Sequence, residues 1–164
     1  MSPTTAEVVP VRIRPLTGVR KFGIRGVRAS AWAVIGAACA QIVTAGFGLF
    51  ALERLPVGEA SSLDAHRMLG YASEVVGVVL VVLLIVGRPS GRAVGAGLGL
   101  FLAMLVQPVL QKHGTGIPLL GALHAANALV MIALAWVTVR AVTRQLDEVA
   151  SVEASSALFA ASGR

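Results

Sequence analysis

Four apolar segments dominate the chain: Ala29 to Leu52, Met68 to Gly87, Ala93 to Leu110 and Ile117 to Val139. Each matches the roughly 20 residues a helix needs to cross a bilayer. Backbone in hydrocarbon must satisfy its own hydrogen bonds, which restricts spanning structures to helices and closed barrels, and runs of this length are helices. The first run exceeds the ~7–15 apolar residues of a cleavable signal sequence, so it reads as a retained span. Composition agrees, because 56% of the 164 residues are hydrophobic and only 13% are charged. A soluble domain of this size needs far more charge on its surface.

The connections fix the topology. "GRPSGR" (87–92) and "QKHGTGIP" (111–118) are short and rich in Gly and Pro, which suits antiparallel helical hairpins. The expected fold is an all-α transmembrane four-helix bundle with up-down-up-down topology.

Basic residues flank the spans. Arg12, Arg14, Arg20, Lys21, Arg25 and Arg28 precede the first, Arg88 and Arg92 separate the second from the third, and Arg140 and Arg144 follow the fourth. The other side carries only Arg54, Arg67 and Lys112. Positive charge concentrates on the cytoplasmic side, so both termini and the 88–92 turn are expected there. The net charge of +6 lacks the aromatic interleaving of a base-stacking surface, which argues against nucleic acid as a partner. Residues 1–28 read as a basic, disordered cytoplasmic tail facing an anionic leaflet, 29–140 as the transmembrane domain, and 141–164 as a C-terminal tail that extends the last helix briefly.

Small residues in "GAACA", "AGFG" and "GAGLG" suit close helix packing, with Gly95 and Gly99 forming a small-xxx-small pair. Cys39, the single cysteine, permits no internal disulfide and reads as a small packed residue.

Polar side chains inside a span normally face the bundle interior and find partners. Here they are Gln41, Thr44, His66, Glu74, Gln107, His124 and Asn127, all in outer halves or at outer ends. They also repeat. Gln41 on the first helix leads to His66 at the start of the second, and Gln107 on the third leads to His124 near the start of the fourth. Two hairpins of the same orientation suggest a pseudo-twofold axis along the membrane normal.

Helices 2 and 4 are diagonal neighbours in such a bundle, and their histidines lie at similar depth. Two imidazoles at one level can supply both axial nitrogens of a b-type haem iron. Gln41 and Gln107 would then orient the rings, and Arg67 would pair with a propionate, or with Asp64 or Glu59. A structural reading competes: the histidines hydrogen-bond carbonyls or reach water, Asp64 in "SLDAHRMLGY" (62–71) caps a helix, and Asn127 bridges helices. Metal or quinone binding is a further alternative, with His113 completing a zinc site beside His66, His124 and Asp64 or Glu59. Pro108 is expected to loosen helix 3. Glu74 lies roughly 12 Å deeper than His66, with Thr44 or Ser73 as candidate partners. No second buried ionisable residue continues a path inward from it, which argues against a proton channel.

"AQIVTAGFGLF", "DAHRMLGY", "MLVQPVL" and "ALHAANAL" resemble an uncharacterised family of small four-helix bacterial membrane proteins, over about residues 30 to 140. The chain is also distantly similar to one four-helix half of haem A synthase. There a His-Arg pair opens the second helix, and a histidine near the outer end of the fourth completes a haem site. That resemblance implies His66 and His124 as ligands and Arg67 as the matching arginine, in a bacterial cytoplasmic membrane. It also marks two departures: only one half is present, and Leu63 stands where that enzyme has a carboxylate.

The sequence therefore predicts an integral membrane protein binding haem b through His66 and His124, for electron transfer or haem handling. Its partners are the bilayer and a redox protein, a larger membrane complex or another copy of itself. The alternative is a cofactor-free structural or accessory subunit. No nucleophile–base pair, phosphate loop or paired carboxylates are present, which disfavours an enzyme.

Overall fold

A computed structural model describes residues 17–51, 63–114 and 116–162. They form four helices, α1 (Gly18–Ala51), α2 (Asp64–Gly87), α3 (Gly91–Gly114) and α4 (Pro118–Ser162). All four are long and apolar enough to cross a membrane, so the chain is an all-α, multi-pass membrane protein in contact with lipid.

Packing follows a single register. The buried positions of α1 include Ile24, Val27, Ala31, Val34 and Ala38, and those of α2 are Ser73, Gly77, Leu80, Leu84 and Gly87. Ala93, Gly97, Leu100 and Met104 on α3, and Met131, Ala135, Thr138 and Val142 on α4, follow the same alternation of three and four. That spacing produces the shallow, left-handed packing of helical bundles. Around the bundle α1 packs on α2 and α4, and α3 on α4 and α2, with the α2–α3 seam the sparsest. Large side chains enter notches: Leu84 lies against Gly97, and Met104 against Gly77. Buried hydroxyls close onto their own helices, Ser73 donating to the Leu69 carbonyl and Thr138 to that of Leu134, each at 2.8 Å.

Two helices outrun their expected spans. α1 begins at Gly18 rather than Ala29, although residues 1–28 were expected to be disordered, and α4 continues to Ser162. At ~1.5 Å per residue, the 34 residues of α1 and the 45 of α4 reach well past the ~30 Å of hydrocarbon. The extensions are held by the same seam, because Ile24 and Val27 are fully buried, as is Val142. Polar clasps add to it: Lys21 Nζ meets the Glu153 carboxylate at 2.9 Å, and the Ser90 amide donates to Gln145 Oε1 at 2.9 Å. Residues 1–16 of the expected tail lie outside the described residues.

The close helix approaches also fall elsewhere than expected. Gly95 faces open space, and Gly99 meets only the Leu134 side chain at ordinary distance. The backbones come together instead at Gly23 and Gly87, where a Cβ on Gly23 would sit 2.5 Å from the Gly87 nitrogen, and at Gly114 and Gly121. Cys39 is exposed on α1 rather than packed. Between α2 and α3, Arg88 takes a left-handed conformation with φ 44° and returns its amide to the Leu84 carbonyl, and Pro89 then prevents further helix.

Gly23→Val should therefore force α1 from α2 and lower stability by about 1–3 kcal/mol, whereas Gly36→Ala, on open surface, should be near neutral. Thermal unfolding in detergent distinguishes the two; equal effects would contradict this packing.

Candidate functional site

The core register continues outward through the residues that a membrane tolerates least. Gln41 follows Ala38 on the α1 seam, and His66 and Gly70 precede Ser73 on that of α2. Gln107 follows Met104 on α3, and His124 lies seven residues before Met131 on α4. Positions that hold Leu, Val and Ala in the half nearer the α2–α3 turn hold imidazoles and amides in the half nearer the α3–α4 turn, so all four side chains point at the axis.

The two histidines meet across the α2–α4 diagonal, with ring centres 6.2 Å apart and planes at 66°. Their anchoring is equivalent. His66 Nδ1 lies 2.9 Å from the Gln41 carbonyl oxygen, and His124 Nδ1 lies 3.2 Å from that of Gln107. A carbonyl only accepts, so each Nδ1 carries the proton and donates. Each Nε2 is then the lone-pair nitrogen, and neither has a hydrogen-bond partner among the described residues.

The glutamines thus orient the rings through backbone, not through side chains as expected. The Gln41 amide donates only a long 3.5 Å contact to the His66 carbonyl. Gln107 Oε1 accepts from Asn127 Nδ2 at 2.8 Å, and the same nitrogen reaches the Ala103 carbonyl at 2.8 Å. Asn127 accordingly ties α4 to α3 beside the second histidine. Arg67 pairs with Asp64 at 3.2 Å, both exposed, while Glu59 lies outside the described residues. Asp64 is the first residue of α2 and does not cap it; Leu63 occupies the cap position without a side-chain hydrogen bond.

A cavity of about 310 Å³ surrounds the pair, lined among others by Gln41, His66, Arg67, Gly70, Gln107 and His124, with Met104 and Met131 on its apolar side. It lies against the sparse α2–α3 seam. A second cleft on that seam shares Tyr71, Glu74 and Met104 with it and adds Val75, Val78, Phe101 and Leu105. Glu74 borders both spaces and takes neither expected partner: Ser73 bonds Leu69, and Thr44 bonds the carbonyls of Ala40 and Gln41. Pro108 lines the cavity within a helix that runs on to Gly114. Having no N–H, it leaves the Met104 carbonyl without its helical donor. His113 is exposed near the end of α3, and among the described residues no three His, Cys, Asp or Glu side chains gather as a metal site.

Comparison with known protein families, curated protein sequences and solved structures returns no match to this chain. The site's chemistry must be argued from its own atoms.

Asn127→Ala should destabilise the folded chain by about 1 kcal/mol through loss of the α3–α4 bridge. Gln41→Ala, which keeps the carbonyl that holds His66, should change stability by less than about 0.5 kcal/mol. Unfolding in mixed micelles measures both, and a larger loss for Gln41→Ala would show that its side chain is the anchor.

Proposed function

We propose that this protein binds one b-type haem between His66 and His124 in the outer half of its bundle and serves electron transfer or haem handling. The observation that carries this reading is the pairing of two imidazoles, each anchored through Nδ1, with ring centres 6.2 Å apart across the bundle diagonal. A ring-centre separation of 6.2 Å leaves room for one metal ion between the two imidazoles, so His66 and His124 would be the residues that hold the group.

The surroundings fit a flat, largely apolar group with charged edges. Gly70 keeps one wall low, Met104 and Met131 offer polarisable contacts, and Arg67 stands at the outer rim, where its guanidinium can exchange Asp64 for a propionate. The cavity is small for a whole macrocycle, but its α2–α3 flank adjoins the apolar cleft, into which a ring edge can extend. The bound iron would supply one-electron redox chemistry. The chain's own contribution is to hold both imidazoles in one tautomer, exclude bulk water with its apolar inner core, and fix the group near one membrane face.

A cofactor-free accessory subunit is the second reading, favoured by the same two bonds: each one already gives its histidine a structural role in tying adjacent helices together. Protein purified in detergent from haem-replete cells separates the two. A Soret band with a sharp alpha peak on reduction is expected, and His66→Ala and His124→Ala should each abolish the normal spectrum while helicity persists. A folded, colourless wild-type protein would leave the accessory reading in place.

A further inference from the structure

Between the Gln41–His66 contact and the Gly23–Gly87 contact, the α1–α4 seam carries the chain's two tryptophans. Trp32 and Trp136 meet edge to face with centroids 5.7 Å apart, and each is about half exposed, at 48% and 45%. Arg28 precedes Trp32 by one turn, and Arg140 follows Trp136 by one turn with its guanidinium carbon 6.0 Å from that ring's centre. Because α1 and α4 are antiparallel, both arginines lie on the side of the tryptophans that carries the termini. Arg25 and Arg144 continue the two rows a further turn outward.

The polar atoms of this patch are donors without acceptors. Among the described residues, Arg25, Arg28, Arg140 and Arg144 form no ion pair or hydrogen bond, and neither indole N–H has a partner. Lys21, on the same side of α1, is already committed to Glu153. Asp147 and Glu148 are exposed farther along α4, beyond the arginines. On the membrane side Gly36, one turn past Trp32, has open space where a side chain would stand. Donors on the terminal side of a bare stretch of helix match an anionic head joined to an acyl chain.

We propose that the α1–α4 seam at the terminal end of the bundle is a binding site for an anionic phospholipid, its phosphodiester held between Arg28 and Arg140 and an acyl chain lying along Gly36. The indole N–H groups bond the ester or phosphate oxygens, the usual role of tryptophan at a membrane rim. Guanidinium forks bind phosphate oxygens in bidentate fashion, which lysine cannot reproduce. This site is independent of the haem reading, because none of its residues lines the cavity at His66 and His124.

Both tryptophans sit at the site, so intrinsic fluorescence reports its occupant. The full-length protein is reconstituted in phosphatidylcholine vesicles with a small fraction of phosphatidylglycerol or phosphatidylcholine brominated on its acyl chains. In the wild type, brominated phosphatidylglycerol should quench tryptophan emission several-fold more strongly than brominated phosphatidylcholine. Arg28→Gln/Arg140→Gln should bring the quenching ratio of the two lipids to about one with unchanged helicity. Arg88→Gln/Arg92→Gln, the same charge removed elsewhere on the rim, should retain it. Equal quenching by the two lipids in the wild type, or a preference surviving in the first double variant, would overturn the site. Equal loss in the second would reduce it to general surface potential and also overturn it. Excess inorganic phosphate, against chloride at matched ionic strength, should leave the preference intact. Its removal by phosphate alone would assign the arginines to a free anion and refute lipid binding.

Discussion

A hydrogen bond from imidazole Nδ1 to a main-chain carbonyl on the preceding helix organises the polar half of this bundle, and it occurs twice. In each hairpin a glutamine supplies the carbonyl and a histidine the donor, at 2.9 Å in the first and 3.2 Å in the second. A carbonyl cannot rotate away as a side chain can, so the ring plane is fixed by the helix itself. The bond also decides the tautomer, leaving the opposite nitrogen of each ring as a lone pair in the cavity. The arrangement ties α1 to α2 and α3 to α4 while leaving the α2–α4 diagonal open for chemistry.

Why these residues converge follows from the packing register. Residues spaced alternately three and four apart face the bundle axis, and His66, Gln41, Gln107 and His124 continue the rows that bury Leu80, Val34, Leu100 and Ala135 farther in. The half nearer the α2–α3 turn is thereby apolar and the half nearer the α3–α4 turn polar, without any change of backbone. The bundle is not closed evenly. A twofold repeat of its two hairpins pairs the α1–α4 contact with the α2–α3 contact, yet the latter is the sparser, and both cavities lie along it. Glu74, bordering both and without a partner among the described residues, marks that seam as the side on which the two halves differ.

Much of this is legible in the sequence, and the misses have physical causes. Four helices, their connections and the diagonal meeting of His66 with His124 follow from apolar length, short turns and depth. The anchoring of the rings does not, because helix main-chain carbonyls carry no sequence signature and Gln41 draws attention to its amide instead. The early start of α1 escapes hydropathy, which sees Arg20, Lys21, Arg25 and Arg28 and stops; the spacing of Ile24 and Val27 ahead of Ala31 and Val34 carries the signal. Gly95 and Gly99 show the limit of a small-residue motif, since the pattern says that close approach is permitted but not that a neighbour is there.

Electron paramagnetic resonance of the oxidised, detergent-purified protein, together with its haem-to-chain ratio, reads directly whether the imidazoles of His66 and His124 hold one iron. One haem per chain and a low-spin ferric signal characteristic of two imidazole ligands are expected. A high-spin signal, or a haem content near zero in folded protein, would rule the pair out as ligands.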